Sequence, residues 1–341
     1  MTRGGTSSTR HFLRDDDLTH LEYTDVLKMA LEFKLDPHFR RPLEGKSAAI
    51  IFDKNSTRTR VSFATGVYEL GGYPMIIDSA TSQLSRGEPI NDTAHVLERM
   101  VDLIVWRTYS QNAMEQMAVN SAKPVINALT DTFHPCQVLA DLAALAQIGD
   151  LQNLLPNGFV DPDSEYSKLS AAEKVARLSG KTVAYFGDGA NNMAHSYLLG
   201  CANAGLNVRI VAPKEFWPSR TVVDDAKVLA KANDVEVLLT DNLEEGMTGA
   251  DLITTDAWLS MGMDSSEVEV RAKAFYKYQI NSCNIKLANK NALFMHCLPA
   301  YREKEVSTNV FDGPQSAVFE EAEFRKYAQK ALICKLLELS S

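Results

Sequence analysis

Hydroxyls and guanidiniums crowd one short stretch of this chain, FDKNSTRTR at residues 52–60. It follows an apolar run, SAAII, and precedes a helical pattern. A strand, a polar turn and a helix in that order put Ser56 near the helix N-cap, with Thr57, Arg58 and Thr59 in the first turn. Unpaired backbone N–H groups and the positive end of the helix dipole lie there. Hydroxyls and an arginine fork add donors that match phosphate oxygens. The plain alternative is a serine cap followed by solvated arginines, but four donor side chains in a row favour an anion site. No GxxxxGK[ST] pattern is present, so the stretch is not a nucleotide P-loop.

Other stretches place polar groups at what read as strand ends. In DTFHPCQVLADL, Pro135 suits the first position of a helix, His134 sits at its cap, and Gln137 lies about one turn on. Both side chains can hydrogen-bond one polar group. In LFMHCLPA, an apolar strand runs into His296, Cys297, Leu298 and Pro299. In ITTDAWLSMGMD, a strand ends near Thr255; Asp256 can hold an ammonium group, and Ser260, Met261 and Gly262 open a loop. A thiol nucleophile at Cys136 beside His134 is disfavoured, because adjacent residues rarely present both groups correctly. A zinc site from His134, Cys136, His296 and Cys297 lacks structural-zinc spacing. VAYFGDGANNMAHS echoes a dinucleotide loop through Gly187 and Gly189, yet Asn192 holds the third glycine position and no acid is clearly placed for a ribose.

The elements that position these groups alternate along the chain. Strand patterns fall at 47–52, 74–78, 103–107 and 124–128, then at 182–186, 208–211, 235–239, 251–255 and 292–296. Several are apolar for nearly their whole length, as expected of strands buried on both faces of a parallel sheet. Helical patterns lie between them, such as 60–70, where Val61, Ala64, Val67 and Tyr68 share helical spacing and Gly71-Gly72 is the stop. This predicts an α/β protein of two tandem open domains, each with a central parallel sheet flanked by helices. The boundary falls in DLQNLLPNGFVDPDSEYSKLS, giving domains over 1–150 and 151–319 and a closing helix over 320–341. Ser170 and Glu173 have capping-box spacing at a helix start.

Composition bounds the partners. The 341 residues are 45% hydrophobic and 23% charged, with a net charge of −9. An acidic balance argues against nucleic acid, whose backbone needs a basic face. It leaves a small anion open, since that answers to the local field. No apolar run reaches the roughly 20 residues that cross a bilayer. The opening MTRGGTSSTRHF lacks the apolar block of a secretory signal. Five scattered cysteines (Cys136, Cys201, Cys283, Cys297 and Cys334) form no CxxC pair and read as reduced thiols of a cytoplasmic protein.

Together, STRTR, HPCQ, DAWLSMG and HCLP, in that order over nearly the whole chain, closely resemble the signatures of the aspartate/ornithine carbamoyltransferase family, on its ornithine branch. The resemblance implies a carbamoyl phosphate domain first and an ornithine domain second, with the last helix packing back on the first. It implies transfer of a carbamoyl group to the side-chain amine of L-ornithine, without a cofactor or metal, in a homotrimer with sites between subunits. By position, Ser56, Thr57, Arg58 and Thr59 would bind the phosphate, and Arg107 in VWRTY would reach phosphate and carbonyl oxygen. His134, Gln137 and the Leu298 carbonyl would hold the carbamoyl group, Arg325 would contact the same substrate, and Gln83 would be lent by a neighbouring subunit. Asn192, Asp256, Ser260 and Met261 would bind ornithine. Cys297 would lie against both substrates and, with Asp256, orient the reacting amine. Phe324 stands before the last arginine, where the family usually has Asn.

Overall fold

The computed structural model describes residues 9–78, 87–258 and 265–340, the side chains of 265–268 apart. Gln83, Ser260 and Met261 lie outside the described residues. After helix α1 (His20–Leu35), the first half runs β1 (Ser47–Phe52), α2 (Thr57–Glu69), β2 (Tyr73–Asp78), α3 (Ile90–Leu97), β3 (Leu103–Arg107), α4 (Gln111–Val119), β4 (Val125–Leu129) and α5 (Pro135–Ile148). The second half runs α6 (Ala171–Ala176), β5 (Thr182–Phe186), α7 (Asn192–Ala204), β6 (Asn207–Val211), α8 (Arg220–Ala232), β7 (Val237–Thr240), α9 (Leu243–Met247), β8 (Leu252–Thr255), α10 (Ser265–Phe275), β9 (Leu293–His296), α11 (Thr308–Phe311) and α12 (Val318–Leu339).

All pairings of these strands are parallel, in two sheets ordered β2-β1-β3-β4 and β7-β6-β5-β8-β9. β1, β3, β4, β5 and β8 are buried almost throughout, which is why they read as unbroken apolar runs. Each sheet reverses its strand order once, between β1 and β3 and between β5 and β8. The crevices outside the carboxyl ends of those two pairs are where open α/β sheets bind ligands.

Every residue of α5 is buried. This explains its apolar character all round, since a helix covered on every side has no polar face. Helix α12 packs against α1, α2 and α5, and α7 of the second half also packs on α5. Ser170 and Glu173 form the capping box that starts α6. Tyr166, in the segment between the halves, donates to the Ala146 carbonyl at 2.8 Å. That is the C-terminal end of α5, roughly 18 Å along the helix from His134 at 1.5 Å per residue.

The apolar spacing along α2 does not mark its buried face. Val61 and Tyr68 do not face the core: they are 58% and 72% exposed, whereas Phe63, Gly66 and Val67 are buried. The buried face of α2 looks toward α12, where a Cβ at Gly66 would come within 3.2 Å of Lys330. Edge strand β2 continues the exposed apolar surface with Tyr73, Met75 and Ile76.

Candidate active site

Ser56 caps α2, its Oγ accepting from the Thr59 backbone N–H at 3.3 Å and donating to Thr59 Oγ1 at 2.9 Å. The first turn of α2 contains no acid. It carries Arg58 instead, so the helix end and the guanidinium add to one positive field. Arg60 turns away, pairing with Asp78 and stacking 4.6 Å from the Phe52 ring. Arg107 pairs with Phe52 in register, at a bulge where the β3–β4 register shifts. Bulges re-aim a side chain at a sheet edge. Helix α12 brings in Arg325, whose Nη2 donates to Thr59 Oγ1 at 2.8 Å. Phe324, beside Arg325 in sequence, is wholly buried and packs edge-on to Tyr327.

His134 is the cap residue of α5, and its backbone N–H donates to Ser196 Oγ at 2.9 Å. Burial and the guanidiniums of Arg325, Arg107 and Arg58 hold its imidazole well below the usual histidine range, so it is neutral at pH 7. Burial, reinforced by Arg325, pulls Arg107 down to about 10, still charged at pH 7. Nε of Arg58, Arg107 and Arg325, Nδ1 of His134 and Oε1 of Gln137 are all buried without a protein partner. Such atoms are costly. Here they come from four elements and point to a ligand that takes donors on one side and offers a donor on the other.

The second crevice lies at β8 and β9. Thr255 pairs with His296 in register, so the next residue on each strand, Asp256 and Cys297, become neighbours. The Cys297 thiol donates to Asp256 Oδ1 at 3.1 Å, and the Ala257 N–H donates to the same oxygen at 2.7 Å. Burial raises the Asp256 carboxyl, while burial and the adjacent Asp256 push the Cys297 thiol well above its ordinary value. Cys297 is thus a protonated hydrogen-bond donor. Asp256, His296 and Cys297 lie close enough to approach one cation, the one such group among the described residues. Yet His296 Nδ1 is already used, accepting from the Leu298 N–H at 2.9 Å, while Nε2 lies 3.3 Å from Glu305.

The two crevices meet. Leu298 has a φ of 59°, in the left-handed region, and its carbonyl accepts from Arg58 Nη2 at 2.5 Å. That oxygen keeps a second lone pair for another donor. Asn192, at the start of α7, donates to the Thr130 carbonyl at 2.7 Å, and His195 Nδ1 lies 3.0 Å from the Thr132 carbonyl. These bonds stitch the second half to the loop that carries His134. Gly187, ending β5 at a φ of 114°, has no room for a side chain: a Cβ there would stand 2.9 Å from Trp258 Nε1.

Residues 10–147 match the carbamoyl-P binding domain of aspartate/ornithine carbamoyltransferase, and residues 179–336 match its Asp/Orn binding domain. The chain belongs to the aspartate/ornithine carbamoyltransferase family. An ornithine carbamoyltransferase of Bifidobacterium longum subsp. infantis is 48% identical over 96% of this chain and 95% of its own length. One from Renibacterium salmoninarum is also 48% identical, over 97% of this chain and all of its own. Among solved structures, the ornithine carbamoyltransferase of Pyrococcus furiosus has a TM-score of 0.84 at 37% identity, covering 96% of each chain. The anabolic enzyme of Campylobacter jejuni has a TM-score of 0.84 at 35% identity, over 96% of this chain and 99% of that one.

In this carbamoyltransferase the structure gathers Ser56, Arg58, Thr59, Arg107, His134, Gln137, Leu298 and Arg325 around the first crevice, with Thr57 beginning α2 beside them. It sets Asp256 and Cys297 together at the second. Sequence reasoning did not single out Asp141, Glu321 or Glu305. The signal for Asp141 was present: a lone acid four residues after Gln137 in an otherwise apolar helix has to be paired.

The thiols allow a direct check. Burial raises Cys136, Cys201, Cys297 and Cys334, whereas Cys283 is exposed. Because the thiolate is the reactive form, iodoacetamide at pH 8 is expected to label Cys283 at least about tenfold faster than Cys297. Peptide mass spectrometry reads the rates, and equal labelling would contradict a protonated Cys297.

Proposed function

We propose that the protein transfers the carbamoyl group of carbamoyl phosphate to the side-chain amine of L-ornithine, giving L-citrulline and phosphate in arginine and citrulline metabolism. The observation that carries this reading is the meeting of three guanidiniums, neutral His134 and the Gln137 amide with the Cys297–Asp256 pair, joined through Leu298. The names and activities of the relatives support it.

In this reading Ser56, Thr57, Arg58, Thr59 and Arg325 take the phosphate oxygens. Arg107, His134 and Thr59 face the carbonyl oxygen, on which negative charge grows as the amine attacks. Donors fixed before the reaction stabilise that charge without reorganisation. Neutral His134 serves as a donor that adds no further positive charge beside the arginines. Gln137 Oε1 and the Leu298 carbonyl accept from the carbamoyl amide. Asn192, Asp256, Ser260 and Met261 bind ornithine, and Asp256 with Cys297 orients its reacting amine.

The ornithine amine is protonated at neutral pH, like a lysine near 10.4. An anion beside it favours that form, so Asp256 orients rather than deprotonates. The attacking species is therefore the minor neutral amine, whose first proton has gone to solvent, and the departing phosphate is placed to take the second proton, which that nitrogen loses as the new C–N bond forms and the C–O bond to phosphate breaks. The transfer changes no oxidation state and asks for no redox cofactor. Cys297→Ala is expected to raise the KM for ornithine with the Kd for carbamoyl phosphate nearly unchanged. Loss of carbamoyl phosphate binding alone would contradict the split between residues 1–150 for carbamoyl phosphate and 151–319 for ornithine. A panel of ornithine, putrescine and N-acetylornithine tests the acceptor.

A homotrimer is part of the same reading. The exposed apolar surface of α2 and β2 supports it, since unpaired apolar edges are usually covered or blunted. Gln83 follows β2 in sequence and would reach a neighbouring site from that edge. Ile76→Glu is expected to shift the mass by light scattering from a trimer to a monomer, with turnover falling in parallel. An unchanged trimer would place the interface elsewhere. Five unpaired cysteines fit a reducing cytoplasm, and no helix among the described residues is long and apolar enough to cross a membrane.

A further inference from the structure

Gln137 can contribute to carbamoyl recognition only if its amide is the right way round. Its Nε2 donates to Asp141 Oδ1 at 2.7 Å and to Glu321 Oε1 at 3.0 Å. Its Oε1 is buried with no partner in the protein. Gln137 and Asp141 are four residues apart on one face of α5, while Glu321 arrives from α12. Rotating the amide by half a turn would set its oxygen against two acceptor oxygens and lose both bonds. The carboxyls are themselves fixed from outside: Tyr197 donates to Asp141 Oδ2 at 2.6 Å, and the His296 N–H donates to Glu321 Oε2 at 2.7 Å. All three side chains are nearly or fully buried.

We propose that Asp141 and Glu321 are positioning residues that lock the Gln137 carboxamide with its oxygen toward the substrate, so that the site selects an acyl phosphate bearing an N–H donor over one that lacks it. This rests on the functional reading above. Burial raises both carboxyls, so the pair retains a proton between its members and a single negative charge. Gln137 has no comparable reason to turn, since each of its amide hydrogens meets a carboxyl oxygen. The pair also links the two crevices. Glu321 holds the backbone of His296, one residue before Cys297, with the same carboxyl that holds Gln137.

The test compares the Kd of carbamoyl phosphate, acetyl phosphate and inorganic phosphate by calorimetry on the full chain. Acetyl phosphate keeps the carbonyl and replaces the NH2 group with a methyl group of similar size. The wild type is expected to prefer carbamoyl over acetyl phosphate by about tenfold or more, the worth of a buried acceptor left unmet. In Glu321→Gln the new amide must turn its oxygen to the His296 N–H and its N–H inward to Asp141, which still accepts from Gln137, so the preference survives. In Asp141→Leu with Glu321→Gln no inward acceptor remains, Gln137 turns over, and the preference is expected to fall within about threefold of unity. Inorganic phosphate should bind all three proteins alike, a result that general loosening of the site would not give. Should the leucine variant fail to bind inorganic phosphate, Asp141→Ala with Glu321→Gln replaces it. A double variant that binds phosphate normally and keeps the wild-type preference would overturn the proposal, as would a wild type that binds both acyl phosphates equally. A wild type that binds neither would overturn the functional reading itself.

Discussion

Arg58→Met is expected to weaken carbamoyl phosphate binding on the order of 10²–10⁴-fold while the protein stays folded. The substitution keeps the aliphatic stem and removes only the guanidinium. Two charge-assisted hydrogen bonds at about 1.5–3 kcal/mol each give that range. Arg107 and Arg325 keep places of their own at the site and Arg60 is paired with Asp78, so the first turn of α2 is left with only hydroxyls and backbone N–H groups to replace the lost bonds. Arg58 also donates to the Leu298 carbonyl, so its loss removes one link between the crevices. Inorganic phosphate should weaken in step with carbamoyl phosphate, because both present the same oxygens to Arg58. Calorimetry reads both affinities. An unchanged Kd for either would remove Arg58 from the anion site.

Arg107→Met is expected to act on rate more than on binding. Arg107 stands between the phosphate oxygens and the carbonyl oxygen in the proposed reaction, and losing one preorganised donor to a developing oxyanion costs ~10²–10³ in kcat. A second substitution tests its electrostatic setting. Burial and Arg325 already pull the Arg107 guanidinium down to about 10. The same surroundings would pull a lysine below its ordinary value near 10.4, toward a pH that an assay can reach. Arg107→Lys should therefore be most active below that pH, where the ammonium is charged, and lose activity as pH rises through it. The wild type should instead gain activity over the same range, as the ornithine amine loses its proton. Parallel pH–rate profiles for the two proteins would contradict this assignment.

The frame of the fold was readable because its physics is local. β1, β3 and β5 occupy 47–52, 103–107 and 182–186, as their apolar runs suggest. Strands covered on both faces need continuous apolar residues. Ser56, His134 and the Ser170–Glu173 box mark helix starts by chemistry that spans only a few residues. Burial was less readable. Val61 and Tyr68 have helical spacing and apolar side chains, yet face outward, since composition alone does not distinguish a core face from a face available to another chain.

The candidate site was readable as motifs and unreadable as geometry. Arg325 reaches Thr59 across 266 residues, and no period or cap in the sequence reports that contact. Cys297 and Asp256 are 41 residues apart and meet only because β8 and β9 pair in a particular register. The Asp141–Glu321 clasp depends on α12 returning to α5. Gln83, Ser260 and Met261 fall outside the described residues, and their proposed roles rest on the motifs that contain them.

The central claim is tested most directly by incubating the purified wild-type protein with carbamoyl phosphate and L-ornithine and measuring citrulline and phosphate together. The expected result is equal amounts of the two products, with phosphate release falling to the spontaneous rate when ornithine is omitted. Phosphate released without citrulline, or carbamoylation of putrescine in preference to ornithine, would contradict it.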